Sequence, residues 1–286
     1  MHKFILSTDS GCDEFKTDLK RMNIDCIPLV YIEGEQTHVD DFSTFEDYNF
    51  FYNELKLGKQ FKTAGLNPYD LEQFFLSLLE QGKDIIHISL SSGISGTCGI
   101  ARHVAQELNA THENKIYIID SKSATGGQNL VLGWARKLRD EEYETKDAVV
   151  ELENVVRRLN VGFYVGDLDH LKRGGRISAL AATVGKMLQL RPILEFDKEG
   201  KLQVIDKVIG TKKAIMKLAD RLSKNGVVAG TPIYITCSGN FAQVAELKNL
   251  IEAKVENPTI IVNFVGPVVG SHTGPDMLAL MFQENI

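Results

Sequence analysis

The segment that decides the fold is Ile85-Ile86-His87-Ile88-Ser89-Leu90-Ser91-Ser92-Gly93-Ile94-Ser95-Gly96-Thr97. It begins with β-branched apolar residues, ends in small hydroxyl residues and glycines, and runs directly into an amphipathic stretch from Cys98 to Leu108. This order predicts a strand, a tight loop and a helix. The first N–H groups of a helix lack intrahelical partners and carry partial positive charge. The loop is therefore suited to hold an anionic oxygen of a carboxylate or a phosphate.

The same loop has other interpretations that its residues leave open or exclude. Many strand–loop–helix joints carry serine and glycine only to turn the chain and cap the helix. A nucleotide phosphate loop is excluded, because no lysine follows Gly93 or Gly96. A nucleophile elbow needs a final glycine where this chain has Thr97, so the match is incomplete and Ser95 stays a candidate nucleophile.

Composition limits the classes of function that the chain can have. Its 286 residues, 43% of them hydrophobic, suit two compact domains with a real core. A net charge of −6 argues against nucleic acid as the main partner. No signal peptide or apolar run of roughly 20 residues is visible, which predicts a cytoplasmic protein without a membrane span. The four cysteines and seven histidines have no metal-ligand spacing, so we expect reduced thiols and no metal site.

Strand and helix patterns alternate along the chain and predict an α/β fold. We expect residues 1–159 to form a domain with a mainly parallel sheet, and residues 160–286 a second domain with a mixed sheet and helices. Ligands of parallel sheets bind at the carboxyl ends of the strands. Three loops rich in hydroxyls and glycine, Ser7–Gly11, Ser89–Thr97 and Asp120–Gly127, are therefore expected to converge on one edge.

Several local signals predict turns and helix caps. Glu33-Gly34 is expected to turn a hairpin, and Asn67 to cap a helix. Residues 198–201 predict a hairpin turn between two strands. Thr211 is expected to cap a helix. Thr259–Phe264 is expected to be the last strand, with a C-terminal helix after it.

Three further residues are candidates for chemistry. His272 lies in Gly266–Pro275, among three glycines and two prolines, and an imidazole can donate, accept or carry charge near neutral pH. Arg176 follows a Gly-Gly pair and precedes a predicted helix capped by Ser178, so its guanidinium either binds an anion or phosphoryl group or caps a helix end. Thr63, at the end of a short strand, would add a hydroxyl to the same pocket.

In order along the chain, these motifs closely resemble the DegV family, nearly from end to end. The matching segments are Ser7–Ser10, Thr63, Leu90–Thr97, Asp120-Ser121, Leu171–Ser178 and Gly266–Pro275. The family consists of bacterial fatty-acid-binding proteins. Characterised members hold a fatty acid in a tunnel while a separate kinase subunit phosphorylates its carboxylate to an acyl phosphate for phospholipid synthesis. The resemblance implies carboxylate-binding loops in residues 1–159 and an acyl-chain tunnel in residues 160–286, between or beside the two domains.

The resemblance implies a role for each matching position. Thr63 and Ser95, with Gly96 beside them, match the groups that hold the carboxylate. His272 matches a histidine near that head group, and Arg176 matches an arginine associated with phosphotransfer or kinase docking. Residues 64–66 depart from the Ser-Gln-Pro that the family often has after the threonine.

The resemblance also implies the partners. We expect a long-chain fatty acid as ligand, no cofactor, a fatty acid kinase catalytic subunit as partner, and at most transient contact with a membrane. No segment of the sequence is suited to bind ATP and magnesium, so phosphoryl transfer needs that second protein.

Two other functions remain open from the sequence. One is a serine esterase with Ser95 as nucleophile and His272 as base, in the chain order of an α/β-hydrolase. The other is a fatty-acid carrier or sensor with no kinase partner.

Overall fold

The computed structural model describes residues 2–41, 45–166, 168–178 and 189–285. Within these ranges the chain forms three sheets, and no helix has the length and apolarity needed to cross a bilayer. The strands are β1 Phe4–Asp9, β2 Ile24–Ile27, β3 Val30–Glu33, β4 Gln36–Val39, β5 Phe61–Ala64, β6 Asp84–Ser89, β7 Ile116–Asp120, β8 Leu159–Tyr164, β9 Leu190–Phe196, β10 Leu202–Ile209, β11 Ile233–Cys237, β12 Ile260–Phe264 and β13 Leu278–Gln283. The α-helices are α1 Lys16–Arg21, α2 Phe45–Lys56, α3 Pro68–Leu79, α4 Thr97–Thr111, α5 Thr125–Asp140, α6 Thr145–Arg157, α7 Asp169–Arg173, α8 Thr211–Asp220, α9 Leu222–Asn225, α10 Phe241–Glu252 and α11 Pro267–Thr273.

The first sheet is fully parallel, in the order β2-β1-β6-β7. Its central strand β6 is buried on both faces, as the continuous run of isoleucines predicts for a strand covered by helices. One face packs with α3 and α4, and the other with α5 and α6. The predicted α/β class and the mainly parallel sheet are confirmed.

The second sheet is mixed, in the order β10-β9-β8-β13-β11-β12, with only β11 and β12 parallel. Thr259–Phe264 was predicted to be the last strand, with a C-terminal helix after it. The strand is present as β12, but it is not the last one: the C-terminal segment is the strand β13 rather than a helix, and every residue of it is buried. A six-residue strand with five apolar residues, buried on both faces, has no alternation, so periodicity alone does not distinguish it from a buried helix.

Two smaller predictions in this half have different outcomes. The hairpin turn at residues 198–201 joins β9 to β10 as expected. Thr211 does not cap α8: the cap position is Gly210, without a side-chain hydrogen bond. The Thr211 hydroxyl instead accepts a hydrogen bond from Arg191 Nε at 3.3 Å.

A third, antiparallel sheet in the order β4-β3-β5 was not anticipated as a unit. The predicted turn at Glu33-Gly34 forms its first hairpin. The second pairing sets Thr63 on β5 opposite Tyr31 on β3, and Tyr31 packs edge-on against Phe51 and Phe61. This aromatic cluster fixes the strand that carries Thr63.

The β9–β10 turn packs directly on the loop that follows β6. Ser91 Oγ donates to the carbonyl oxygen of Gly200 at 2.8 Å, and Lys122 Nζ donates to the carbonyl oxygen of Glu199 at 3.2 Å. The two backbones approach so closely that a Cβ at residue 93 would overlap the Gly200 carbonyl. Glycine at position 93 is therefore required by this contact between the two halves of the chain.

We predict that Gly93→Ala lowers the free energy of unfolding by about 1–3 kcal/mol, because the added methyl group overlaps backbone that side-chain rotation does not relieve. Urea unfolding measures the change. Gly99→Ala is the matched control, because a Cβ there meets nothing within 4 Å and alanine favours the α4 helix. An equal loss in both variants would contradict the steric explanation.

Candidate functional site

A cavity lies between the parallel and the mixed sheets, with an interior of about 100 Å³ and, when its open mouth is counted, about 820 Å³ of empty space. Its walls are mostly apolar and come from both halves of the chain; the largest side chains are Phe163, Leu171, Phe196, Met277 and Met281. The residues predicted to bind the ligand and the one predicted to act in phosphotransfer all line this one cavity; they are Thr63, Ser95, Gly96, His272 and Arg176. The cavity therefore combines mostly apolar walls with a small set of polar groups, as ligand pockets usually do.

His272 and Thr63 form the first polar pair of the site. The Thr63 hydroxyl and His272 Nε2 are hydrogen-bonded at 2.8 Å. His272 lies near the end of α11, and Gly174 packs so closely that a Cβ there would overlap the imidazole. Burial, aided by the positive charge of Arg176, lowers the pKa of His272 to about 4. The imidazole is therefore neutral near pH 7.

Arg176 is held by backbone carbonyls. Its Nε donates to Ile94 O at 2.9 Å, and its Nη1 donates to Gly174 O. Burial lowers the pKa of the guanidinium, which nevertheless stays charged at neutral pH. Burial is the cause of that shift, and among the described residues no carboxylate forms an ion pair with Arg176, so its charge is available to an anionic ligand. The helix predicted after Ser178 lies outside the described residues.

Ser95 and Gly96 directly precede α4. The Ser95 hydroxyl donates to Thr97 Oγ1 at 3.0 Å and accepts from the Thr97 backbone N–H at 3.2 Å. The helix begins at Thr97, after a cap position at Gly96 that makes no side-chain bond. A Cβ on Gly96 would meet nothing within 4 Å, so space does not demand glycine there. What the segment offers a ligand is the Ser95 hydroxyl and the N–H groups of the first helical turn.

The three strand-end loops converge as predicted. Ser89–Thr97 and Asp120–Gly127 both line the cavity, whereas Ser7–Gly11 supports them from behind. Asp9 is buried at the end of β1, where it accepts hydrogen bonds from four groups; they are Gly11 N, Ser89 Oγ, Leu90 N and Gln128 Nε2, at 2.8–3.1 Å. Asp120 Oδ1 accepts from Ser92 N and Lys122 N, both at 3.1 Å. Sequence reasoning did not identify Gln128, because a glutamine in a helix carries no local signal.

Two buried carboxyls behind the site were also missed. Asp40 Oδ2 accepts a hydrogen bond from Ser10 Oγ at 2.8 Å, and Asp13 packs against Gly266, the residue that precedes α11. Burial raises the pKa of Asp13 well above its usual value and that of Asp40 to about 7. Both carboxyls contact residues that are distant in the sequence, so no rule based on residue spacing identifies them.

The contacts at the site do not form the triad of a serine esterase. Ser95 pairs with Thr97, whereas His272 pairs with Thr63. In such a triad the second imidazole nitrogen is oriented by an acid. Here His272 Nδ1 is buried, and no group in the described part of the chain forms a hydrogen bond with it. The described ranges also contain no group of three or more His, Cys, Asp or Glu residues able to hold a metal ion.

We predict that Asp40 makes the protein less stable as pH rises from about 4 to about 7. Across this window the carboxyl is ionised in the unfolded chain but still protonated in the folded one, so the folded state binds more protons. The full effect is about 4 kcal/mol, on the scale of 1.36 kcal/mol for each pKa unit.

Asp40→Asn removes the carboxyl that titrates in this window. The unfolding free energy of the variant, minus that of the unmodified chain, should therefore rise with pH across the window and become constant above it. Urea unfolding at a series of pH values measures the difference. Asp41→Asn, on the exposed neighbouring side chain, controls for the loss of one carboxyl. A difference between Asp40→Asn and the unmodified chain that does not vary with pH would contradict the prediction.

Comparisons with known proteins find matches that cover nearly the whole chain. Residues 3–285 match a family model described as "Uncharacterised protein, DegV family". A DegV domain-containing protein of Clostridium perfringens is 30% identical over 284 residues, which cover 99% of this chain and 98% of that protein.

Two solved structures have the same fold. A DegV family protein from Thermus thermophilus, described by its fatty acid binding, superposes with a TM-score of 0.85 at 27% identity and covers 100% of both chains. The Streptococcus pneumoniae Fatty Acid Kinase (Fak) B3 protein, loaded with linoleic acid, has a TM-score of 0.86 at 22% identity and covers 99% of this chain and 100% of its own. The sequence match over residues 3–285 and the relative at 30% identity establish that this chain belongs to the DegV family.

Proposed function

We propose that this chain binds a long-chain fatty acid in its apolar cavity and presents the carboxylate to a separate, ATP-dependent fatty acid kinase that forms an acyl phosphate. The observation that carries the proposal is the cavity itself, which has apolar walls and one polar group made of Thr63, Ser95, Arg176 and His272. The fatty acid binding of the Thermus thermophilus protein supports the ligand, and the kinase name of the Streptococcus pneumoniae protein supports the partner.

The apolar walls would supply most of the affinity. Each buried methylene contributes about 0.8 kcal/mol, so a 16-carbon tail offers on the order of 10 kcal/mol before the costs of binding. A carboxylate gains less, because the loss of its hydration offsets the new hydrogen bonds. We therefore assign affinity to the tail and orientation to the Thr63 and Ser95 hydroxyls.

Arg176 and His272 would act on the head group during phosphoryl transfer. The Arg176 guanidinium is charged and has no carboxylate partner among the described residues, which suits it to a carboxylate that becomes an acyl phosphate. His272 is neutral near pH 7, so it offers a hydrogen bond without competing for that charge. The partner supplies ATP and magnesium.

We also propose a division of labour between two domains that meet near residue 159. The strands before it form the parallel sheet and the small antiparallel sheet, and the strands after it form the mixed sheet. The first part would carry the carboxylate-binding loops. The second would carry most of the acyl-chain tunnel, because Phe163, Phe196 and Met281 belong to it.

We expect protein purified gently from a bacterial host to release a long-chain fatty acid on solvent extraction, because a buried tail dissociates slowly from apolar walls. Mass spectrometry of the extract measures its identity and its ratio to protein. Protein that is empty and also rejects added fatty acid would overturn the proposal.

We expect Arg176→Ala to slow acyl phosphate formation by about tenfold or more, while the affinity for the fatty acid changes by less than about threefold. The reason is that the guanidinium contacts the head group and not the tail. The rate is measured in a reaction reconstituted with a fatty acid kinase catalytic subunit and ATP. Arg173→Ala, on an exposed arginine of α7, is the matched control and should change neither quantity. Equal losses of binding and of phosphorylation in Arg176→Ala would contradict the assigned role.

A further inference from the structure

A single row of side chains crosses the mixed sheet at one end of the cavity. Met281 on β13 lies opposite Val161 on β8, and Leu202 on β10 lies opposite Phe196 on β9. The register of β8 and β9, with Gly162 opposite Glu195, places Phe196 beside Val161. All four side chains of the row line the cavity.

The row and the Arg176–His272 pair lie toward opposite ends of β8. The carboxyl end of β8 leads through Leu171 to Arg176, and His272 precedes the start of β13, which pairs with that same end. Val161 is three residues before Tyr164, the last residue of β8, or roughly 10 Å along the strand at about 3.3 Å for each residue. A chain held by its carboxylate near Arg176 and His272 therefore points its methyl end toward the row.

A second cavity begins on the other side of the same row. It has about 1520 Å³ of empty space, including its open part, and Val161 and Phe196 line it as well. Its other walls carry many charged side chains, among them Arg102, Asp120, Lys122 and Lys198. Phe196 is half-buried, as expected of a ring that separates two spaces.

The neighbouring turn holds this separating wall in place. Four residues after Phe196, Gly200 accepts a hydrogen bond from Ser91, and Glu199 accepts one from Lys122. Asp197, directly after Phe196, accepts from the Glu199 and Lys201 N–H groups at 2.9 Å. The ring is thus attached to a short turn that is bonded both within itself and to the first half of the chain.

We propose that Phe196 and Val161 form the end wall of the acyl-chain tunnel and set the upper limit of chain length. The inference rests on the proposed function and adds the residues that determine specificity. A longer tail meets the phenyl ring before it reaches the second cavity. Removal of the ring joins the two spaces, so additional methylenes gain room.

The test measures dissociation constants of the unmodified chain and of Phe196→Ala for saturated fatty acids of increasing length. We expect Phe196→Ala to prefer longer acids. Relative to the unmodified chain, its affinity should improve by about fourfold for each methylene that it newly accommodates, since that is the effect of burying one methylene. Val161→Ala, a smaller change in the same wall, should shift the preference in the same direction and serves if Phe196→Ala does not fold.

Phe163→Ala is the matched control. Phe163 lines the first cavity but not the second, so its truncation should weaken all of the acids without changing their ranking. An unchanged ranking in both wall variants, or the same shift in Phe163→Ala, would overturn the inference while leaving the proposed function intact. If the unmodified chain binds none of the acids, the proposed function fails and this inference fails with it.

Discussion

The carboxylate of Asp9 is the interaction on which the ligand-binding edge of the parallel sheet depends. It joins the end of β1 to the end of β6 through Ser89 and Leu90, and to α5 through Gln128. Burial raises the pKa of this carboxyl, and the four donors around it act in the opposite direction. A carboxylate so deeply buried is tolerated only with its oxygens fully bonded, so the groups that surround it are fixed in position.

That fixed position has a consequence for the loop that follows β6. Leu90 is held by Asp9, and Ser91 and Gly93 then contact Gly200 of the mixed sheet's hairpin turn. The cavity lies between these two parts of the chain, so its width depends on this contact. The buried Asp9 carboxylate therefore positions the loop after β6, and this loop in turn positions the hairpin turn next to Phe196.

The sequence predicted the parts of the fold whose signals are local. The isoleucine run before Ser89, the Asn67 cap of α3 and the hairpin turn at Gly34 each formed as expected. The strand β13 was missed because a run buried on both faces lacks alternation. Its central place between β8 and β11 depends on pairing with segments far away in sequence, which no local pattern encodes.

The candidate site shows the same limit. Thr63, Ser95, Arg176 and His272 were found from loop composition and from a family resemblance, and the structure brings all four to one cavity. Their supporting groups were not found: Gln128 lies inside a helix, and Asp13 meets Gly266 across most of the chain length. Such residues act through burial and tertiary contact, and neither produces a pattern in the adjacent sequence.

In the proposed complex, the charges at the site would hold a carboxylate and still leave it reactive. His272 is neutral because burial lowers its pKa, and Thr63 is a neutral hydroxyl, so Arg176 supplies the full positive charge of the group. One guanidinium held by two backbone carbonyls attracts an anion, but it does not enclose it as several cations would. In the proposed complex the tail carries the binding energy, and the head group needs only enough attraction to face one direction. A weakly held carboxylate is a better substrate for a second protein, because less binding energy is lost when its bonds are exchanged for those of the phosphoryl transition state.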